Sequence, residues 1–340
     1  MEVPEISYIR LDIDTLEATK ATFKESFLQQ EKYIAEIKDR VTVNLSKQFK
    51  TRKVLAVDSG FNSAYETTFV LFKAAVVDEE MEVEHSEDIY LFHVSNYQTD
   101  RMKRLLMQQS LYQALAKTVQ SRKADDSIVL VDGTITLNIF IPTPRDRKEY
   151  REHFKDFYEE LYKPLIEQCL KRNIVLLGFL KRTGSNYLAE YLGIIGTYDI
   201  YIINFFLRRH GQNIGPITIP NRSSHSTKTN QKYVTFYLNL KSWNYRFELL
   251  KEQEQYCEET MGNLLYLATE THFGMNPIFS KADEFARVTK REANLKFDYI
   301  THDLEVNNRS RMRLEARART HFGYSVERIS GNLPKSRRII

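Results

Sequence analysis

The chain is poor in cysteine, tryptophan and glycine, with 2, 1 and 12 of these among 340 residues. Cys169 and Cys257 stand far apart, each inside a helix-like pattern, so neither a disulfide framework nor a zinc-ligand pattern can be drawn. No GxxxxGK[ST] phosphate loop occurs, and any translocation energy has to come from a partner. GxGxxG and GxSxG are missing too, and the 8 histidines form no HxxxH or HExxH pair, which argues against a zinc hydrolase. No run of about eighteen apolar residues marks a membrane span. The opening Met1-Glu-Val-Pro-Glu5 is acidic and carries no signal-peptide pattern, so a cytoplasmic protein is expected.

What remains is an ordinary globular composition, 42% apolar and 28% charged, over a length that suits one large domain or two smaller ones. Net charge is +4, and its distribution says more than its sum. Arg309, Arg311, Arg313, Arg317, Arg319, Arg328, Lys335, Arg337 and Arg338 face only Glu315 and Glu327 in the last stretch of the chain. Such a basic segment can neutralise phosphates or dock an acidic partner, or it can be plain solvated surface.

The organising stretch is Lys53-Val-Leu-Ala-Val-Asp58-Ser59-Gly60, a short β-rich apolar run that meets a carboxylate and then a Ser-Gly pair. Ser127-Ile-Val-Leu-Val-Asp132-Gly133-Thr134 repeats the grammar. Two buried strands each ending in Asp supply the hard oxygen ligands that Mg²⁺ or Mn²⁺ takes. The alternative is a pair of ordinary turns, because Asp caps its own backbone and Gly accepts positive φ.

Along the chain, helical patterns over Leu16–Phe27 and Tyr33–Phe49 predict an N-terminal arm. Strands are expected at Phe69–Val77 and Ile89–Val94 around an acidic loop, Asp78–Glu84. A helix over Arg101–Ser121 has an apolar stripe at Leu105, Leu106, Leu111, Leu115 and Val119. Asp146–Arg172 reads as a long charged helix that Pro164 can kink, and Ile174–Leu180 as a buried strand ending in Lys181. Helical segments at Asn186–Gly193 and Asp199–Leu207 precede a polar loop or hairpin over Gly211–Lys232. Strands at Tyr233–Leu240 and Tyr245–Leu249 flank a turn at Trp243-Asn244, and the remainder is helical from Gln253. Mixed sheet, interleaved helices and acidic strand ends fit an α/β RNase H-like fold and an actin-like ATPase alike, though 12 glycines are few for the phosphate loops of the latter. The 20 tyrosines and 20 phenylalanines could stack on single-stranded bases, but most sit at core spacing.

In this order the pieces resemble the NurA family of DNA-end-processing nucleases. Val54–Gly60, Phe72–Val77, Ile128–Thr134, Ile174–Lys181 followed by Thr183-Gly-Ser185, Tyr198-Asp199-Ile200, Tyr237–Lys241, Arg246-Phe-Glu248 and Gly274–Ala286 are similar to successive family motifs, over about residues 50–290. The resemblance implies an RNase H-like mixed sheet flanked by helices at 51–308, between a helical arm at 1–50 and the basic segment 309–340. It implies a Mn²⁺-dependent (or Mg²⁺-dependent) deoxyribonuclease of 5′–3′ exonuclease and single-strand endonuclease type. Double-strand-break end resection, a homodimer and a hexameric HerA-type ATPase partner follow from the same likeness.

Asp58 and Asp132 map onto family metal ligands. A family Glu on the helix before the second Asp strand is replaced here by Gln108 or Gln109, which bring no charge. Where the family has a histidine, the chain has Asp283, either a third carboxylate for the same cation or a first-turn residue favoured by the helix dipole. Lys181, with Arg182 and Ser185 in the turn after it, and Arg246 would contact DNA phosphates; Asp199 has no assigned role. For Lys181 the alternative is a snorkelling surface lysine, for Arg246 a cross-strand ion pair. Two other functions stay open: a catalytically weakened subunit that binds DNA or the translocase, and an actin-like ATPase.

Overall fold

The computed structural model describes residues 50–64, 69–80, 83–92, 96–137, 140–181, 184–193, 198–210, 213–219, 232–240, 243–269, 277–300 and 326–328, with Lys20 and Leu45. The expected arm at 1–50 lies outside the described residues apart from Lys20, Leu45 and Lys50. Strands β1 (Lys53–Ser63), β2 (Phe69–Val77) and β3 (Val83–Phe92) form an antiparallel meander. β4 (Ser127–Asp132) and β5 (Val175–Leu180) then join the free side of β1 in parallel, which gives the 3-2-1-4-5 order of an RNase H-like core. β8 (Trp243–Leu250), β7 (Tyr233–Leu240) and β6 (Asn213–Thr218) extend it antiparallel, and β9 (Val326–Arg328) pairs with β3 at the far edge.

The central strands are apolar on both faces because helices cover both faces. α1 (Asn96–Gln120) packs on one side, together with α2 (Lys148–Asp156) and α3 (Lys163–Lys171). That side gathers Leu55, Val57, Leu105, Leu115, Val129 and Leu176. α4 (Tyr187–Tyr191) and α5 (Asp199–His210) shield Tyr237 of β7. The other side carries α6 (Cys257–Thr269) and α7 (Pro277–Ala286) over Val54, Ala56, Ile128, Leu130, Val175 and Leu177, with α8 (Lys290–Ile300) on Phe69 and Leu71. Alternation along each strand thus assigns every side chain a layer.

The three parallel strands share an anchor at their starts. Buried Arg52 donates to the Asn173 carbonyl (2.8 Å) and to Asp126 (3.1 Å), and pairs with Glu259 of α6. Asp126 and Asn173, the turn residues it holds, have φ of 53° and 55°. Five guanidinium donors in a fixed fork suit this task in a way that a lysine would not.

Several expectations change here. β1 does not stop at Asp58 but runs five residues on, because β2 continues to pair with it as far as Ser63 opposite Val70. β3 starts inside the expected acidic loop, where Val83 and Glu84 ride a strand paired with β2. Trp243 and Asn244 belong to β8 rather than to a turn, and β9 falls inside the basic segment; of the loop or hairpin expected over 211–232, β6 pairs antiparallel with β7. Pro164 does not break its helix. A π-helical turn, Phe157–Tyr162, sits just before it and widens the backbone where the proline removes a hydrogen bond.

His153 of α2 is buried with Nε2 lacking a hydrogen-bond partner, and burial pushes its pKa down to about 4. The unfolded chain binds this proton near pH 6.5, so the neutral imidazole adds stability above that pH, which is lost as pH falls toward 4. Replacing His153 by Leu is expected to flatten the acid limb of the unfolding free energy against pH by on the order of 3 kcal/mol at most. An unchanged acid limb contradicts the assignment.

Candidate metal centre

The parity of the sheet decides where the acids point. Val54 and Ala56 of β1, and Ile128 and Leu130 of β4, face the α6–α7 layer, so Asp58 and Asp132 do as well. The parallel register ends at Val57 opposite Val131, which leaves the two aspartates side by side on neighbouring strands. Asp283 comes from α7 above them. One carboxylate oxygen from each of Asp58, Asp132 and Asp283 lies within 4.8 Å of the others.

A helix can come this close because of Gly60. A Cβ there would meet the Ala286 carbonyl oxygen at 2.6 Å, so the strand residue two after Asp58 has to be glycine for the end of α7 to seat. The residue read in the sequence as a turn former is instead the contact surface of a helix. Gly133, by contrast, is a true turn, with φ of +96°. It is carried on β5 through Gly178, where a Cβ would lie 2.9 Å from the Gly133 oxygen and 3.0 Å from the Ile135 nitrogen.

The turn after Asp132 is fastened from below by Glu248, a fully buried β8 carboxylate that no sequence signal marked as part of the site. Glu248 accepts from the Thr134 hydroxyl (2.5 Å) and from the backbone N–H of Ile135 (3.1 Å) and Thr136 (3.4 Å). Arg246, two residues away on the same strand face, is its ion-pair partner and lies 5.2 Å from the Tyr187 ring. The pairing expected for Arg246 exists, but along its own strand rather than across strands. Arg246 is buried, its Nε without a partner, on the face opposite the aspartates. Removing one member of such a buried pair leaves the other charge uncompensated, at a cost of about 3–5 kcal/mol.

The electrostatics follow from the geometry. Asp58 is buried, and its pKa is raised to about 8, first by desolvation and then by the Asp132 charge, with Asp283 adding to both. The Ser59 N–H (2.6 Å) and Lys181 pull it back. Lys181 is the cation nearest the group: its Nζ lies 3.1 Å from Asp132 and 4.0 Å from Asp283, over the Phe279 ring at 4.6 Å. Arg287, mostly exposed, reaches Asp283 at 3.7 Å. Three carboxylates with one close ammonium leave net negative charge in one small volume, and an all-oxygen donor set suits Mg²⁺ or Mn²⁺. The residues present fit such an ion.

Other expected site residues lie elsewhere. Gln108 and Gln109 are on α1, which covers the opposite face of the sheet from α7; Gln108 is buried, and the Gln109 carboxamide oxygen is buried without a hydrogen bond. Asp199 is fully buried and accepts from the Tyr187 and Ala189 N–H groups (2.9 and 3.0 Å), the Tyr237 hydroxyl (2.8 Å) and Ser185 (2.5 Å). It therefore caps α4 from α5 and engages the Ser185 hydroxyl. Arg182 lies outside the described residues.

Gly60→Ala is expected to push α7 off β1, lowering stability by about 1–3 kcal/mol and weakening Mn²⁺ binding measured by calorimetry. Unaltered Mn²⁺ affinity would show that the seat of α7 does not set Asp283.

Comparison with known proteins agrees with the fold. The fold matches the crystal structure of the NurA nuclease from Sulfolobus solfataricus at a TM-score of 0.60 and 18% identity, covering 88% of this chain and 99% of that one. It matches NurA bound to dAMP and manganese at 0.59 and 11%, covering 86% and 97%, and NurA with manganese at 0.52 and 13%, covering 85% and 98%. No curated protein matches the chain in sequence. The NurA domain profile matches residues 52–288, from Arg52 at the foot of β1 to just beyond α7, and the chain accordingly belongs to the NurA family.

Proposed function

We propose that the protein is a metal-dependent deoxyribonuclease that hydrolyses phosphodiester bonds at DNA ends, with Mn²⁺ or Mg²⁺ held by Asp58, Asp132 and Asp283. The observation that carries this reading is the convergence of those three carboxylates within 4.8 Å on one sheet face, with Lys181 beside them. A bound divalent ion supplies activation of water and charge stabilisation at the scissile phosphate. The chain's own residues do the remainder. Asp58, whose ionised form is disfavoured by burial and by its neighbours, gains most from a cation. Lys181 is placed to exchange Asp132 for a phosphate oxygen, and Glu248 keeps the Gly133–Thr136 turn, and so Asp132, from shifting.

Family membership supports the finer reading: a homodimer that degrades 5′–3′ and cuts single strands, working with a hexameric HerA-type ATPase in end resection. A chain without its own P-loop leaves translocation to that partner. A second reading, a weakened subunit that binds DNA or the translocase, is favoured by one observation: the Lys181 ammonium already sits against Asp132 and competes with a metal for it.

End-labelled linear and single-stranded DNA should be shortened with Mn²⁺ and left intact in EDTA. Asp58→Ala and Asp132→Ala should each reduce the rate at least a hundredfold, while Lys181→Ala should lower it by roughly ten- to a hundredfold with metal binding kept. Wild-type protein that binds DNA but cuts nothing, alone or with the ATPase, selects the second reading.

A further inference from the structure

Trp243, the only tryptophan of the chain, is 60% exposed. Large aromatic side chains usually bury most of their surface, so the place where this one stays in water is informative. It opens β8, and the alternation of that strand puts it on the same face as Tyr245, Phe247 and Leu249, which all belong to the α6–α7 layer. That is the face of Asp58, Asp132 and Lys181. The sheet order β1-β4-β5-β8 then sets Asp58, Asp132 and Trp243 on their strands and Lys181 just past the end of β5, all looking the same way.

The registers give the spacing. Asp132 pairs with Phe179, Phe179 with Phe247, and Leu180 with Arg246, so Tyr245 is level with Lys181 and Trp243 lies two residues beyond. Two strands of lateral offset and four residues along the strand put Trp243 roughly 16 Å from Asp132. Buried aromatics fill the ground between: Phe179 lies 4.6 Å from Phe279 and 4.9 Å from Tyr245. The line leads outward from the acids across a cation to an exposed ring at the start of β8. It has the parts of a single-strand path: a charge that meets phosphate, then a π-face that accepts any base.

We propose that Trp243 is a base-stacking platform for the single-stranded DNA segment next to the scissile phosphate. The inference rests on the nuclease reading for the position of that phosphate, and it adds to it a residue that holds the single strand. Stacking on one ring is sequence-tolerant, so it holds the strand and its register without selecting a base. A double helix, with its bases already stacked internally, offers this ring nothing along its length and engages it only at a frayed end.

A single tryptophan makes the test direct, because excitation at the red edge of the aromatic band, where the 20 tyrosines do not absorb, leaves the emission of the full-length protein in EDTA to Trp243. Titration with an oligothymidylate of about 16 nucleotides, within the range one single-strand-binding module covers, should quench that emission. An abasic oligomer of the same length should bind more weakly and quench little, and a blunt duplex should quench little. Trp243→Ala should weaken oligothymidylate binding, followed by anisotropy of a labelled strand, roughly tenfold; Trp243→Phe should restore most of the loss. The exposed position keeps both variants folded, which an unchanged Tm verifies.

Emission that stays constant while the labelled strand saturates, or Trp243→Ala binding as wild type, overturns the proposal. So does emission that shifts with protein concentration and is insensitive to DNA, which would place Trp243 between two copies of the chain. The two readings fail separately: cutting without quenching removes the platform alone, and quenching without Mn²⁺-dependent cutting removes the nuclease and keeps the platform.

Discussion

Three carboxylates within 4.8 Å of one another repel, and the fold has to hold them there anyway. At an effective dielectric near 20 a unit pair at that distance costs about 3 kcal/mol, so the cluster opposes its own assembly unless a cation relieves it. The raised pKa of Asp58, set first by burial and then by the Asp132 charge, carries part of that opposition, and Lys181 relieves it only in part. What secures the group is backbone. Asp58 and Asp132 are locked to adjacent strands by parallel pairing, and Asp283 is delivered by a helix whose end rests on Gly60.

The same division of labour runs through the molecule. At the starts of the parallel strands Arg52 gathers two turns and a helix, and these strands emerge at the other end with Asp58, Asp132 and Lys181 in line. Behind the site Glu248 spends its acceptor capacity on the turn after Asp132 and on Arg246. Neither carboxylate outside the cluster that drew notice, Asp199 or Glu248, is free to take a metal. Both are satisfied by hydrogen bonds that order the connections flanking the site.

Much of this was legible in the sequence. Apolar runs ending in Asp58 and Asp132 marked two strands, and the family resemblance offered Asp283 as a third carboxylate. The strand-against-turn ambiguity at Ser59-Gly60 could not be resolved locally, because it depends on β2 pairing past Asp58 and on a helix more than two hundred residues away. Glu248 read as an alternating strand residue, and only the β5–β8 register places it under the turn. Trp243 looked like part of a hairpin turn until β8 extended to include it. For Gly60 and Glu248 the missing information was a long-range pairing, which residue type and spacing do not encode; for Trp243 it was the tight β7–β8 register, with Leu240 opposite Trp243.

The measurement closest to the central claim is a crystal of the protein soaked in Mn²⁺, with anomalous scattering recorded at the manganese edge. A peak bounded by Asp58, Asp132 and Asp283, with the Lys181 ammonium drawn away from Asp132, is the expected result. Lys181 still seated on Asp132 with no peak among the three carboxylates, or a peak elsewhere on the sheet, would contradict it.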